Sequence, residues 1–161
     1  MRSYSSGFTL IELITVITII GVLAVVVGPR FASSDVYEAR TFFDDVAQAV
    51  RFAQAKARGS GCITQVQFTA SGYAVTIDAD CNSSAFTGTA VVNPDGFTSG
   101  YTELQSLPTG VTFAASVNPL LFDPRGKALN SGLAVIGGEA EINVGDRILR
   151  VVGETGYVYQ P

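Results

Sequence analysis

A chain of 161 residues with 10 basic and 14 acidic side chains has the size of one ordinary domain plus an extra segment. It has no histidine and only two cysteines, which excludes a Ser-His-Asp triad, a Cys-His pair, a His-ligated zinc and a four-cysteine metal site. With 47% hydrophobic and 15% charged residues it is no disordered chain, and its sparse Lys and Arg argue against a polybasic nucleic-acid binder.

The hydrophobicity is concentrated at the start. After the short leader MRSYSSG, Phe8 to Gly28 reads FTLIELITVITIIGVLAVVVG, 21 residues whose single charge is Glu12. A helix of that length spans about 31 Å, close to the hydrocarbon core of a bilayer at about 30 Å. The run is longer than the apolar stretch of a secretory signal and passes into Gly28-Pro29-Arg30 without an A-x-A cleavage site. An N-terminal membrane anchor is therefore expected, with the leader and its Arg2 on the cytoplasmic side. Glu12 is the anomaly, because a carboxylate at the centre of a membrane helix costs roughly 2–3 kcal/mol. Near the helix start it could simply reach the headgroups. If the chain is cut after Gly7, Phe8 carries a free amine four residues before Glu12, and a neighbouring subunit's amine could neutralise the carboxylate.

Pro29 lacks an amide hydrogen and crowds the preceding turn, so a kinked or melted joint is expected at Gly28-Pro29. Beyond it, Ser33 to Arg58 is amphipathic: Val36, Ala39, Phe43, Val46, Ala47, Val50, Ala53 and Ala57 follow helical spacing. Acids lie early and bases late, Ser34 is a candidate N-cap, and Gly59-Ser60-Gly61 ends the helix. Phe42 and Phe52 fall off the main stripe; packing in the core at its edge is expected, with packing against another subunit as the alternative.

After Gly61 the period changes to two. Cys62–Thr69 and Tyr73–Ala79 alternate around a turn, as in a hairpin. A loop at Ser71-Gly72 pairs Phe68 with Val75, Val66 with Ile77, Thr64 with Ala79 and Cys62 with Cys81 on one mainly apolar face. That register predicts a Cys62–Cys81 disulfide and so an oxidising compartment, with two buried free thiols as the alternative. Residues 82–110 read as an irregular connection with one short strand near Thr89–Val92 and a turn at Asn93-Pro-Asp-Gly96. Strands are expected at Val111–Val117, Leu120–Phe122, Leu133–Ile136, Ala140–Val144, Ile148–Val152 and Tyr157–Tyr159. The predicted fold class is α+β: one long N-terminal helix, half anchor and half amphipathic, packed on an antiparallel β-sheet head.

Gly7-Phe8-Thr9-Leu10-Ile11-Glu12-Leu13, with the short leader and the long apolar run, resembles the class III signal of type IV pilins and pseudopilins. That resemblance implies cleavage by a prepilin peptidase between Gly7 and Phe8, N-methylation of Phe8 and an assembly role for Glu12. Further on, Leu107-Pro-Thr-Gly-Val-Thr-Phe113, Leu121-Phe-Asp-Pro-Arg-Gly126 and Arg150-Val-Val-Gly-Glu-Thr-Gly-Tyr-Val158 are similar to the GspH/FimT type of minor pilins and pseudopilins. The early amphipathic helix, from Ser34 to Asp45, with Cys62 after Gly61, resembles most the minor pilins of mannose-sensitive haemagglutinin (MSHA) pili.

The implied organisation is a leader at 1–7, a transmembrane and assembly helix at 8–29, its amphipathic half at 30–59 and a periplasmic β-rich head at 60–161. The implied role is that of a minor pilin that initiates assembly of a type IV pilus of the MSHA type or sits near its tip. Type II secretion pseudopilins and DNA-uptake pilins are the alternatives. Other pilins, the prepilin peptidase and the inner membrane are the expected partners. No enzymatic activity, small-molecule substrate, cofactor or metal is expected. Asp78, Asp80, Asn82 and Asp95 could offer oxygens to Ca²⁺, but no twelve-residue loop pattern ends in Glu, and solvated turns explain them. Arg147 and Arg150 lie where some FimT-like pilins carry a basic DNA-uptake motif, but Gly145-Asp-Arg-Ile-Leu-Arg150 departs from Gly-Arg-x-Arg. Beyond Arg58, four bases (Arg125, Lys127, Arg147, Arg150) face nine acids, which disfavours a nucleic-acid partner.

Overall fold

The computed structural model describes residues 8–27, 34–78, 80, 81, 86, 91 and 105–161. Gly7, the Gly28-Pro29 joint, the turn at 93–96 and most of the strand expected near 89–92 lie outside the described residues. Val91 is described, buried, with its amide donating to the Val75 carbonyl at 3.3 Å. The chain divides into two compact units, residues 1–36 and 37–161.

The first unit contains α1, Leu10–Val27. Its 18 residues span about 27 Å. Among the described residues no helix is long and apolar enough to cross a membrane. Helix α2, Ser34–Ser60, belongs to the second unit from Tyr37 onward. It ends where the Gly61 amide reaches back to the Ala57 carbonyl at 3.0 Å, and the Ser60 hydroxyl donates to the Lys56 carbonyl at 2.7 Å. Six residues of the predicted stripe are buried, Phe43, Val46, Ala47, Val50, Ala53 and Ala57, joined by Phe42 and Ala49, while Ala39 is half-buried. Phe42 meets Tyr73 and Phe113 edge to face, at 5.8 and 5.5 Å between ring centroids.

The head has two antiparallel sheets. In the first, β1 (Thr64–Thr69), β2 (Gly72–Ile77), β3 (Gln105–Ser106), β5 (Leu120–Phe122) and β6 (Ala128–Leu129) take the order β3-β2-β1-β5-β6. In the second, β4 (Phe113–Ala115), β7 (Glu139–Val144), β8 (Arg147–Val152) and β9 (Val158–Tyr159) take the order β4-β7-β8-β9. Val66, Val75, Leu120 and Phe122 from the first sheet and Ile142, Leu149 and Val151 from the second share one core cluster with α2.

The expected hairpin exists, but its register is two residues off. Val66 pairs with Val75, Phe68 with Tyr73 and Thr64 with Ile77, around a loop at Ala70-Ser71. A slip of two keeps every side chain on its predicted face, so burial cannot distinguish the two registers. Turn chemistry does: the Thr69 hydroxyl accepts the Ser71 amide at 3.3 Å and donates to the Gly72 carbonyl at 3.2 Å. Cys62 and Cys81 are nevertheless disulfide-bonded, with Cα atoms 4.5 Å apart. After the Asp78 amide bonds the Ile63 carbonyl at 2.9 Å, the chain turns. Asp78 Oδ1 accepts the Asp80 amide at 3.2 Å, and Cys81 takes a left-handed backbone at φ 54°. This turn, and not cross-strand pairing, brings Cys81 back to Cys62.

The strand expected at Leu133–Ile136 is reduced to a single bridge between Leu129 and Val135. Asn130 Oδ1 accepts the amides of Gly132 and Ala134, and Leu133 stands at φ 62°, so this stretch is an Asn-centred turn. Its place in the sheet goes to β6, which pairs with β5. The expected strand at Val111–Val117 is shorter, at Phe113–Ala115, and Gln105–Ser106 is a strand inside the expected irregular connection.

Candidate functional site

Two regions carry the predicted chemistry, and they lie in different units. In the first, Phe8 precedes α1 and is 78% exposed, and Glu12 falls in the first helical turn. The Glu12 amide is accepted by the Thr9 hydroxyl at 3.3 Å, so Thr9 is the N-cap and Glu12 occupies the third helical position. The Thr9-x-x-Glu12 spacing is a capping signal readable in the sequence. It fixes Glu12 four residues from Phe8, on a helix N-terminus that favours negative charge.

The rest of this surface is apolar. Leu10, Ile11, Leu13, Val16, Ile17, Ile19, Ile20, Val22 and Leu23 are all exposed. The hydroxyls that interrupt the run are turned inward: Thr15 donates to the Glu12 carbonyl at 2.8 Å, and Thr18 to the Ile14 and Thr15 carbonyls at 3.0 and 2.8 Å. A helix whose polar groups are satisfied by its own backbone can be apolar all round, which suits lipid or packed neighbouring helices.

The second region gathers two of the head segments that carry the family resemblance, Asp123–Gly126 and Gly153–Tyr157, against α2. Asp123 Oδ1 accepts the amides of Arg125 and Lys127 at 2.9 and 2.8 Å, which closes the first turn. Lys127 pairs with Glu154 at 2.6 Å and ties the first segment to the second. Gln54 of α2 then donates one side-chain nitrogen to both, to the Gly126 carbonyl at 3.1 Å and the Thr155 carbonyl at 2.9 Å. Gly156, at φ +64°, has no room for a side chain: a Cβ there would overlap the Gly126 carbonyl and the Gln54 amide. Sequence reasoning missed Gln54, whose partners are 72 and 101 residues away.

Three basic side chains of the head are engaged within it. Arg150 pairs with Glu141 at 3.0 Å and Glu139 at 3.8 Å, and Tyr159 donates to Glu139 at 2.7 Å. A hydrogen bond with Tyr159, then the charges of Glu141 and Glu139, raise the Arg150 guanidinium above its ordinary pKa. Lys127 is taken by Glu154, and Arg147 lies over the Phe43 ring. Asp78 is buried and spends Oδ1 on its own turn. Among the described residues, no three His, Cys, Asp or Glu side chains come together to hold a metal. Gly7, Gly28 and Pro29 lie outside the described residues.

A helical N-terminus and an antiparallel β head are the architecture of type IV pilin-like subunits, and the family matches point the same way, to a structural subunit. Residues 2–28 match the prokaryotic N-terminal methylation motif, and residues 43–154 match the family described as type II transport protein GspH. The second match covers more than half of the chain, and the chain belongs to that family. Its fold is similar to the crystal structure of the type IV minor pilin FimU of Pseudomonas aeruginosa. The TM-score is 0.52 at 10% identity, covering 80% of this chain and 91% of that one. A second crystal form of FimU gives 0.49 at 11% identity, over 76% and 91%. Among curated proteins none matches the chain. Membership with the N-terminal motif makes this a membrane-anchored subunit that is incorporated into a pilus-type filament.

Proposed function

We infer that the chain is a minor pilin that helps to initiate a type IV pilus of the MSHA type or sits near its tip. The observation that carries this reading is the joint presence of Gly7-Phe8-Thr9-Leu10-Ile11-Glu12 and a GspH-type head in one short chain. Removal of residues 1–7 by a prepilin peptidase leaves Phe8 as the N-terminus, which is then methylated. The apolar segment 8–29 crosses the inner membrane once with the head in the periplasm, where the Cys62–Cys81 bond persists. On joining a filament, Glu12 leaves the membrane edge for a bundle of apolar helices. Left unpaired there it is costly, whereas the free amine of a neighbouring subunit compensates it and selects an axial register.

A second reading, a minor pseudopilin of type II secretion, is favoured by the family's own description. Deletion of the gene decides between them: loss of surface pili with normal protein secretion supports the pilus, and the reverse supports the pseudopilus. Intact-mass measurement of membrane-extracted protein tests the shared step. It should show a chain that begins at Phe8 and carries one added methyl group, and a mature chain that still begins at Met1 overturns both readings. A DNA-uptake role has less support, because Lys127 and Arg150 are already paired with carboxylates.

A further inference from the structure

The disulfide between Cys62 and Cys81 has two unlike ends. Cys62 is 6% exposed and lies two residues past the last residue of α2. Its amide donates to the Ser60 hydroxyl at 3.2 Å, and the Gly61 amide bonds the Ala57 carbonyl at 3.0 Å, so the helix end holds it in place. Cys81, in contrast, is exposed, as is Asp80 before it. It ends a turn whose fixed points are the Asp78 amide on the Ile63 carbonyl and the Asp80 amide on Asp78 Oδ1.

The backbone separates the two ends as well. Cys81 stands at φ 54°, a left-handed conformation that among the described residues only Leu133 shares without being glycine. A residue with a Cβ is disfavoured there, so Cys81 gains freedom once its sulfur is released. Cys62 remains fixed by the helix end. Which sulfur an external thiol attacks depends on access, and a buried cysteine is inert to such reagents. Exposure and backbone therefore single out the same sulfur.

We propose that Cys81 is the exchange site of this bridge, the sulfur at which an external dithiol opens it. A thiolate of the dithiol attacks Cys81 Sγ and forms a new S–S bond. The Cys62–Cys81 bond breaks, and its electron pair leaves on Cys62 Sγ, which takes a proton from water. The second thiolate of the reagent then attacks the reagent's own sulfur in the mixed disulfide. That expels the Cys81 thiolate, which is protonated in turn, and the reagent departs as a cyclic disulfide. Two electrons have passed from the dithiol to the bridge. A monothiol stops at the first step and leaves Cys81 modified and Cys62 buried as a free thiol. Either way the covalent tie between the end of α2 and the turn after β2 is gone. This chemistry belongs to the head alone and holds for a pilus or a pseudopilus subunit alike.

The test uses the full chain in detergent micelles with excess mercaptoethanol, an uncharged monothiol. Early samples are quenched in acid, alkylated with N-ethylmaleimide in acidic denaturant and mapped by peptide mass. The mercaptoethanol adduct should sit on Cys81 and the maleimide on Cys62, in roughly tenfold or greater excess over the reverse arrangement. An equal split, an adduct mainly on Cys62, or no adduct until the protein is denatured overturns the assignment. Single variants approach the same point from the thiol side, with hydroxyethyl disulfide as reagent. Cys62→Ser, which keeps Cys81, should form the mixed disulfide at least roughly tenfold faster than Cys81→Ser, and concentrated urea should erase the difference. Equal rates in two folded variants overturn the proposal, and the wild-type map decides alone where a variant does not fold.

Discussion

Gly156→Ala is the sharpest probe of how the head holds α2. Gly156 stands at φ +64°, where a Cβ costs about 1–2 kcal/mol in backbone strain alone. The new methyl group would also strike the Gly126 carbonyl and the Gln54 amide. Displacing Gln54 breaks its bonds to Gly126 and Thr155, at about 1 kcal/mol each. The expected total is about 3–4 kcal/mol. Gly145 is the matched control, with φ +60° and open space around its Cβ position, so Gly145→Ala should cost only the strain of about 1–2 kcal/mol. Urea denaturation of the full chain in detergent, followed by far-UV circular dichroism, measures the difference. If the two variants lose equal stability, the Gln54 contact contributes nothing and the reasoning fails. Gln54→Leu should reproduce the contact part, about 2 kcal/mol, and should make Gly156→Ala cheaper in the double variant.

Three further outcomes follow from the geometry. Glu12→Ala should be cut after Gly7 like wild type yet incorporate poorly into surface filaments, with Glu12→Asp intermediate; normal filament levels in Glu12→Ala would leave the carboxylate with its capping position alone. Replacing Cys62 or Cys81 by Ser should cost about 3 kcal/mol by the chain-entropy argument for a bridge across 19 residues, read as a lower urea midpoint and less protein in cells. A gel shift at moderate salt should find no DNA binding by wild type, whereas Glu139→Gln with Glu141→Gln, which frees Arg150, should give weak binding that salt abolishes.

What could be read in advance depended on how local the cause was. The buried stripe of α2 follows from its 3.6-residue period, but Phe42 and Ala49 lie off it and are buried as well, Phe42 against Tyr73 of one sheet and Phe113 of the other. The faces of the hairpin follow from alternation, whereas its register hangs on the Thr69 hydroxyl, which alternation does not weigh. Cys62 and Cys81 meet for a reason other than the one the pairing suggested, since a turn at Asp78 replaces two residues of ladder. Leu133 and Val135 alternate like a strand, and Asn130 overrides them by offering a nearer acceptor. Gln54 gave no local signal at all, because both of its partners are main-chain carbonyls in distant turns. The head segments Asp123–Gly126 and Gly153–Tyr157 did stand out, and close backbone approach is what their glycines permit.

The boundary between the two compact units, at Val36 and Tyr37, falls inside α2 and not at the first strand. Seen from the sheets, α2 is therefore less a stalk than an inner wall. A fragment that begins at Tyr37 keeps Phe42, Phe43, Val46 and Val50 against Tyr73, Phe113 and Ile142, whereas one that begins at Gly61 leaves those inner faces wet. Proteolysis within α2 beyond Tyr37 would then do more than release the head: it would remove the surface on which the head is built, so that shedding and unfolding become one event.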